Sequence, residues 1–204
     1  MLSIPGKILC KILLKRIDSA IDDRLRDEQA GFRSGKGCID QIFSLRNIIE
    51  QSLEWNVPVF INFIDFSKAF DSIHRDSLWK IVRSYGIPEK LVKIMKLFYE
   101  NYECCIALEN NNLTDNFNVK TGVRQGCILS PILFLIVVDW VMRKSTNNVN
   151  NGIPWRDGYS LDDLDFADDL ALISSNQDNL QDKTNNLVKN AKQVGLQINI
   201  KKTE

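Results

Sequence analysis

Three aspartates are the residues best placed to do chemistry. Asp168 and Asp169 stand side by side in Leu164-Asp165-Phe166-Ala167-Asp168-Asp169, and Asp65 falls near the end of an apolar run, Val57 to Phe66, some hundred residues earlier. Adjacent carboxylates in a tight turn repel each other. Such a pair is stable when a cation neutralises it or water solvates it. Magnesium binds a few carboxylates together with substrate phosphate oxygens, which suits a site made from one strand end and one hairpin turn. Two such ions, roughly 3.5–4 Å apart, would activate an attacking hydroxyl and stabilise a leaving pyrophosphate, with manganese as a substitute ion. An isolated Asp-Asp pair is more often a solvated turn, so the pair alone leaves both readings open.

Elements distant in sequence must bring these carboxylates together. Val57 to Phe66 is rich in branched and aromatic residues and predicts a strand largely buried on both faces, ending on Asp65. Leu161 to Ile173 predicts strand, tight turn, strand, with Ala167-Asp168-Asp169 at the turn. Helical apolar spacing marks Lys7 to Ile21, where Ile8, Leu9, Ile12, Leu13 and Ile17 form the stripe. It also marks Ile39 to Glu54, with Ile42, Leu45, Ile49 and Leu53 inward, and a last helix through Leu180, Leu187, Ala191 and Val194. Leu78 to Tyr85 closes on Gly86, Pro88 opens a further helix, and Ser130-Pro131 starts a buried one running to Arg143. Cys104 to Leu108 and Phe117 to Lys120 suit two strands joined across Asn110-Asn111-Asn112. Ala30 to Gly37 and Asn147 to Gly158 read as loops, and Leu196 to Ile200 as a short closing strand. Strands mixed with paired helices imply an α+β fold.

Basic and acidic side chains balance at 26 each in 204 residues, so no overall field draws the chain to nucleic acid or a membrane surface. Their distribution is uneven. The first fifty residues lean basic, including Arg24, Arg26, Arg33 and Lys36, whereas Leu161 to Asp169 is strongly acidic. Such a division offers cations for phosphates and anions for metals. Asp162, Asp163 and Asp165 read as strand-edge or solvated carboxylates rather than further ligands. Five cysteines without paired spacing, and His74 as the only histidine, argue against structural zinc and for free thiols in a reducing, intracellular setting. The longest apolar run stops at Asp139, too short to span a bilayer, so no membrane association is expected.

The aspartates gain meaning from their surroundings. Phe63-Ile64-Asp65-Phe66-Ser67-Lys68-Ala69-Phe70-Asp71 resembles the first catalytic motif of reverse transcriptases. Gly122-Val123-Arg124-Gln125-Gly126-Cys127-Ile128-Leu129-Ser130-Pro131 resembles their glutamine-glycine motif, and Leu164 to Asp169 their aspartate-pair hairpin. Gly195-Leu196-Gln197-Ile198-Asn199 through Lys202-Thr203 is similar to the motif that follows. Gln29-Ala30-Gly31-Phe32-Arg33 through Asp40-Gln41-Ile42 resembles the fingers motif of the LINE-type, non-LTR retrotransposon branch, which shares features with group II intron enzymes. The motifs stand in the family's order and cover most of the chain. The resemblance implies a reverse-transcriptase palm with partial fingers, its antiparallel sheet carrying the Asp-Asp hairpin and packed by helices. Within a single partial domain, residues 1–58 would be fingers-like, 59–75 palm, 76–130 mixed, and 131–204 palm.

By the same resemblance, Asp65, Asp168 and Asp169 are the catalytic carboxylates that bind two magnesium ions, with the Phe66 carbonyl as a further ligand. Phe70 matches an aromatic gate under the sugar that excludes a 2′-hydroxyl; the other reading is a core phenylalanine. Backbone amides between Phe66 and Phe70 would face the triphosphate, with Lys68 either beside it or solvated. Gln125 matches a residue near the incoming nucleotide and template base, and Gly126 would let the backbone approach closely. Arg33 and Lys36, on a glycine-rich loop, would contact triphosphate or template phosphates. Lys202 matches a proton donor to pyrophosphate, with Lys201 as a rival. The implied partners are an RNA template, a DNA primer and deoxynucleoside triphosphates, and the implied place of action is the nucleus. Oligomeric state is not legible.

Several positions depart from the pattern. Gly35-Lys36-Gly37 stands where relatives commonly carry arginine followed by serine, and Phe166 replaces a frequent tyrosine. The family's arginine-bearing fingers motif is expected before Met1, and its primer grip and thumb after Glu204, so the thumb is expected to be absent here. The implied activity is RNA-directed DNA synthesis by a fragment of a longer retrotransposon protein. The alternatives are a non-catalytic remnant that binds nucleic acid or protein, and a degenerate reading frame without a selected role.

Overall fold

Alternating apolar side chains build the sheet that carries the aspartates. The structure, a computed structural model, describes residues 3–100, 102–108, 113–146, 151–155 and 158–203. Strand β1 (Phe60–Ile64) and strands β6 (Asp163–Phe166) and β7 (Asp169–Ser174) form an antiparallel sheet of order β1-β7-β6. Side chains alternate along a strand. Leu170 and Leu172 of β7 therefore enter the main core, while Ile173 joins a smaller cluster on the other face with Ile48, Ile153 and Leu161.

Helix α6 (Ser130–Thr146) is buried on nearly every side, as its continuous apolar run demands. Helix α7 (Gln177–Gln193) packs on β7, β1 and α6, and α4 (Arg75–Ser84) packs on α6 and on α5 (Glu89–Leu97). Helix α1 (Ile4–Asp22) buries Cys10, Leu13, Ile17 and Ile21 and leaves Ile8, Leu9 and Ile12 exposed, so its apolar surface is wider than its contact. Among the described residues no helix is long and apolar enough to cross a membrane.

Helix α2 (Cys38–Trp55) departs most from expectation. It meets the sheet over β6 through Leu45 and the buried Ile48, whereas Ile42 is 61% and Leu53 77% exposed, and Ile49 is exposed too. The helix has a broad apolar arc, and only one edge of it finds a neighbour. Strand β1 is likewise open on one face, with Phe63 48% exposed. Residues 196–200 make a single bridge, Ile198 to Phe66, instead of a strand. Strands β2 (Glu103–Cys104) and β3 (Phe117–Asn118) pair as expected but are shorter, and the Asn110-Asn111-Asn112 turn lies outside the described residues. Within the expected loop at 147–158, Ile153–Pro154 (β4) pairs with Ser160–Leu161 (β5).

The carboxylates of β6 are not solvated. Asp163 and Asp165 are buried in β6, where the two terminal nitrogens of Arg26 each donate to one of their carboxylates, at 2.6 Å for Asp163. The Arg26 backbone N–H donates to buried Asp139 at 2.8 Å, which also accepts from Tyr85 Oη and Arg143 Nε. Burial opposes the Arg26 charge, but Asp163, Asp165 and Asp139 outweigh it and hold its pKa above the ordinary value. Burial and then the charge of Asp163 push Asp165 well above the carboxylate range, with Arg26 pulling against them. Asp162 is ion-paired with Lys183 at 2.6 Å. Removing these groups from water made pairing necessary, so the basic N-terminal region and the acidic hairpin face one another inside the fold.

Candidate active site

The β1–β7 register pairs Ile64 with Leu170, so the next step sets Asp65 opposite Asp169. Phe166 pairs with Asp169, leaving Ala167 and Asp168 as a two-residue turn between β6 and β7. Ala167 has φ +59°, a left-handed conformation costing about 1 kcal/mol for a residue with a Cβ. Asp65, Asp169 and Lys202 line a cleft of 310 Å³ between α2 and the sheet, together with Ile42, Phe63 and Ala171. Partial desolvation, then the charges of Asp168 and Asp65, raise the Asp169 carboxyl above its ordinary range, while Lys202 lowers it. The three expected carboxylates are thus brought within electrostatic reach.

The segment after α7 closes this site from the side. Asn199 N–H donates to the Asp65 carbonyl and Ser67 N–H to the Gln197 carbonyl, both at 2.8 Å, on either side of the Phe66–Ile198 bridge. Phe66 buries its ring in the core, and its own carbonyl points away from that bridge. The Ser67 amide is therefore not free to face a triphosphate. Asn199 Nδ2 donates to Asp65 Oδ2 at 3.2 Å, and Lys202 Nζ lies 3.4 Å from the same oxygen. Lys202, rather than Lys201, reaches the carboxylate. Asn199 was missed by sequence reasoning; its membership of a motif was visible, but its partner lies 134 positions away.

A second group forms around Phe70. Its ring stacks on Phe134 at 4.4 Å and meets the edge of Phe32 at 6.4 Å, yet it also lines an open cleft of 410 Å³ with Gln125 and Gly126. The ring thus packs in the core and also borders the cleft, a geometry compatible with both readings of Phe70. Gln125 Nε2 donates to Asp71 Oδ1 at 3.1 Å, and Val123 N–H to the Phe70 carbonyl at 2.7 Å. Arg75 donates to the carbonyls of Val119, Thr121 and Gly122 at 2.7, 3.0 and 3.1 Å, holding the loop that presents Gln125. Asp71 and Arg75 carried no recognisable signal as loop anchors. Gly126 has φ +76°, a left-handed conformation that favours glycine, and no protein atom lies within 4 Å of where a Cβ would stand.

The two loop cations depart from expectation. The Arg33 side chain is 5% exposed; it donates to the Asp22 carboxylate and carbonyl and to the carbonyls of Arg26 and Gln29. It pins the loop from inside and does not reach toward a phosphate. Lys36 Nζ donates to the Asp27 carbonyl at 2.8 Å and carboxylate at 3.2 Å, beside a different cleft that Trp155 and Tyr159 also line. Both ammonium and guanidinium find acceptors nearer than the aspartate site. Lys68 is exposed, with a left-handed backbone at φ +50° just before the short helix α3 (Ala69–Ser72).

This sheet, hairpin and helix arrangement is that of a polymerase palm, and residues 1–204 match the family model described as reverse transcriptase (RNA-dependent DNA polymerase). The chain belongs to this family. It is 29% identical over 205 residues to the Pol polyprotein from the type-2 retrotransposable element R2DM of Drosophila melanogaster, covering 98% of this chain and 19% of that protein. It is 26% identical over 183 residues to a probable RNA-directed DNA polymerase from transposon BS of the same fly, covering 86% of this chain and 19% of that protein. The chain thus spans about a fifth of the length of these relatives. The resemblance to non-LTR retrotransposon reverse transcriptases is borne out. Among solved structures, apo telomerase from Candida tropicalis, truncated from its C-terminal domain, aligns with a TM-score of 0.66 at 19% identity, covering 98% of this chain and 39% of that one. Telomerase from the same yeast with a fragment of telomeric RNA aligns at 0.68 and 19% identity, over 94% of this chain and 32% of that one. These likenesses show the fold.

Proposed function

We propose that this chain carries the polymerase centre of an RNA-directed DNA polymerase of a non-LTR retrotransposon, transferring a nucleotide from a deoxynucleoside triphosphate to a DNA primer 3′-hydroxyl. The observation that carries the reading is the convergence of Asp65 and Asp169 across the β1–β7 register, with Asp168 in the adjoining turn. The donor set fits hard cations: it is all carboxylate, and partial burial followed by the charges of Asp168 and Asp65 already raises Asp169. Among the described residues no three such side chains are drawn together as a closed ligand set, and Asp65 is engaged by Asn199 and Lys202 instead. Asp65, Asp168 and Asp169 would hold two magnesium ions, or manganese, which when bound neutralise charge on the attacking 3′-oxygen and the leaving pyrophosphate.

The chain's own side chains do the rest. Phe70 crowds a 2′-hydroxyl, which selects deoxynucleotides. Gln125, oriented by Asp71, stands where a base pair would be tested. Lys202 keeps an ammonium at the carboxylates and can give a proton to a departing phosphate oxygen. RNA template, DNA primer and triphosphates are the partners that go with this reading, as do nuclear action and the division into fingers-like residues 1–58, palm residues 59–75, mixed residues 76–130 and palm residues 131–204. The test is DNA primer extension on an RNA template with deoxynucleotides and magnesium. Asp168→Asn should abolish extension by the full-length parent. Extension retained in the variant would sink the carboxylate assignment.

A further inference from the structure

Ala167 occupies the first position of the β6–β7 turn at φ +59°, where glycine is the usual residue. Something must keep it there. Gln29 is fully buried, at 0% exposure, and its side-chain amide grips Ala167 from both ends. Oε1 accepts from Ala167 N–H at 2.8 Å, and Nε2 donates to the Ala167 carbonyl at 3.2 Å. The same Oε1 accepts from Gly31 N–H at 2.8 Å, which fixes the rotamer. Among the described residues no other side chain hydrogen-bonds Ala167. The grip has a rigid base. Asp165 N–H donates to the Glu28 carbonyl at 3.0 Å and Ala30 N–H to the Asp165 carbonyl at 2.9 Å, so residues 28–30 run parallel to β6 at its edge. Arg33, reaching the Gln29 carbonyl, braces the segment from the far side.

We infer that Gln29 is a positioning residue for the aspartate hairpin: its amide holds Ala167 left-handed and so sets the direction in which Asp168 and Asp169 leave the turn. This rests on reading those aspartates as the polymerase carboxylates. The amide chemistry is specific. An ionised glutamate at this position has acceptors only and loses the donation to the Ala167 carbonyl, while glycine in place of Ala167 adopts the conformation unaided.

The test compares the unaltered chain with Gln29→Ala, Gln29→Glu, Ala167→Gly and Q29A/A167G, by amide hydrogen exchange and by primer extension. Gln29→Ala should speed exchange at the amides of residues 167–169 by about tenfold while α6 amides stay protected. It should lower kcat on the order of 10²-fold with nucleotide KM nearly unchanged. Adding Ala167→Gly should restore most of the lost kcat and the protection of Asp168 and Asp169, which loss of a generic core contact would not allow. Gln29→Glu keeps the side-chain volume and supplies the same comparison should Gln29→Ala fail to fold. Unchanged exchange at the turn in the Gln29 variants would overturn the proposal, as would a double variant no better than Gln29→Ala. Primer extension is read in the full-length parent: if that unaltered protein extends no primer, the polymerase reading fails, while the exchange comparison still decides the role of Gln29.

Discussion

Replacing Gly31 by alanine should push the aspartate hairpin out of place. The Gly31 backbone is not left-handed, so alanine is conformationally acceptable and the whole effect comes from contact. An added Cβ would lie 2.2 Å from Ala167 N and 2.7 Å from its Cα, whereas ordinary contact begins at 3.4 Å, so the turn must retreat by about 1.2 Å. That retreat would break both Gln29 bonds to Ala167, now 2.8 and 3.2 Å. Two hydrogen bonds at about 1 kcal/mol each, plus about 1–3 kcal/mol for overpacking, predict a loss of roughly 3–5 kcal/mol in stability. The catalytic cost should be larger. Reacting groups misplaced by about 1 Å lose on the order of 10²-fold in rate. Denaturant unfolding and single-turnover primer extension measure the two effects separately. A Gly31→Ala protein as stable and as fast as its parent would show that the hairpin yields without consequence, and the positional argument would be refuted.

Phe70→Val should relax discrimination against ribonucleotides, read as the ratio of kcat/KM for deoxy- and ribonucleoside triphosphates; unchanged selectivity would remove the gate role. Arg33→Ala should lower stability by roughly 1–3 kcal/mol, because the Arg26 and Gln29 carbonyls lose their donor, and leave nucleotide KM little altered. A large rise in KM with an unchanged melting temperature would restore the phosphate-contact role. Asp165 has a folded pKa raised above its unfolded value of about 3.9. The stability it contributes is therefore present below about pH 4 and is lost as pH rises through the folded value. Asp165→Asn should flatten that decline in melting temperature, and parallel pH profiles would show that Asp165 is not its source.

Local order was legible because it is a local property. A run of branched and aromatic residues marked β1, apolar stretches either side of a tight turn marked the β6–β7 hairpin, the run from Ile132 to Val138 marked α6, and the spacing of Leu187 and Ala191 marked α7. Facing was legible only in part. Ile42 and Leu53 share an apolar arc with Leu45 on α2, and which edge of that arc is covered depends on where β6 lies.

For the site, the sequence determined residue types and their order: Asp65, Asp168 and Asp169, with Phe70, Gln125 and Lys202 in motifs that mark the family. Tertiary structure decided which charges are engaged in holding the fold. Arg26, Arg33 and Lys36 looked alike as cations in a basic region, yet all three are engaged within the protein, Arg26 with carboxylates from β6 more than 130 positions away. Gln29 and Asn199 carry no charge, and their motifs gave no sign of their partners, yet they touch Ala167 and Asp65 directly. The physical reason is desolvation. A buried polar group must find a partner wherever the fold brings one, and that partner is chosen by proximity in space, which periodicity along the chain does not encode.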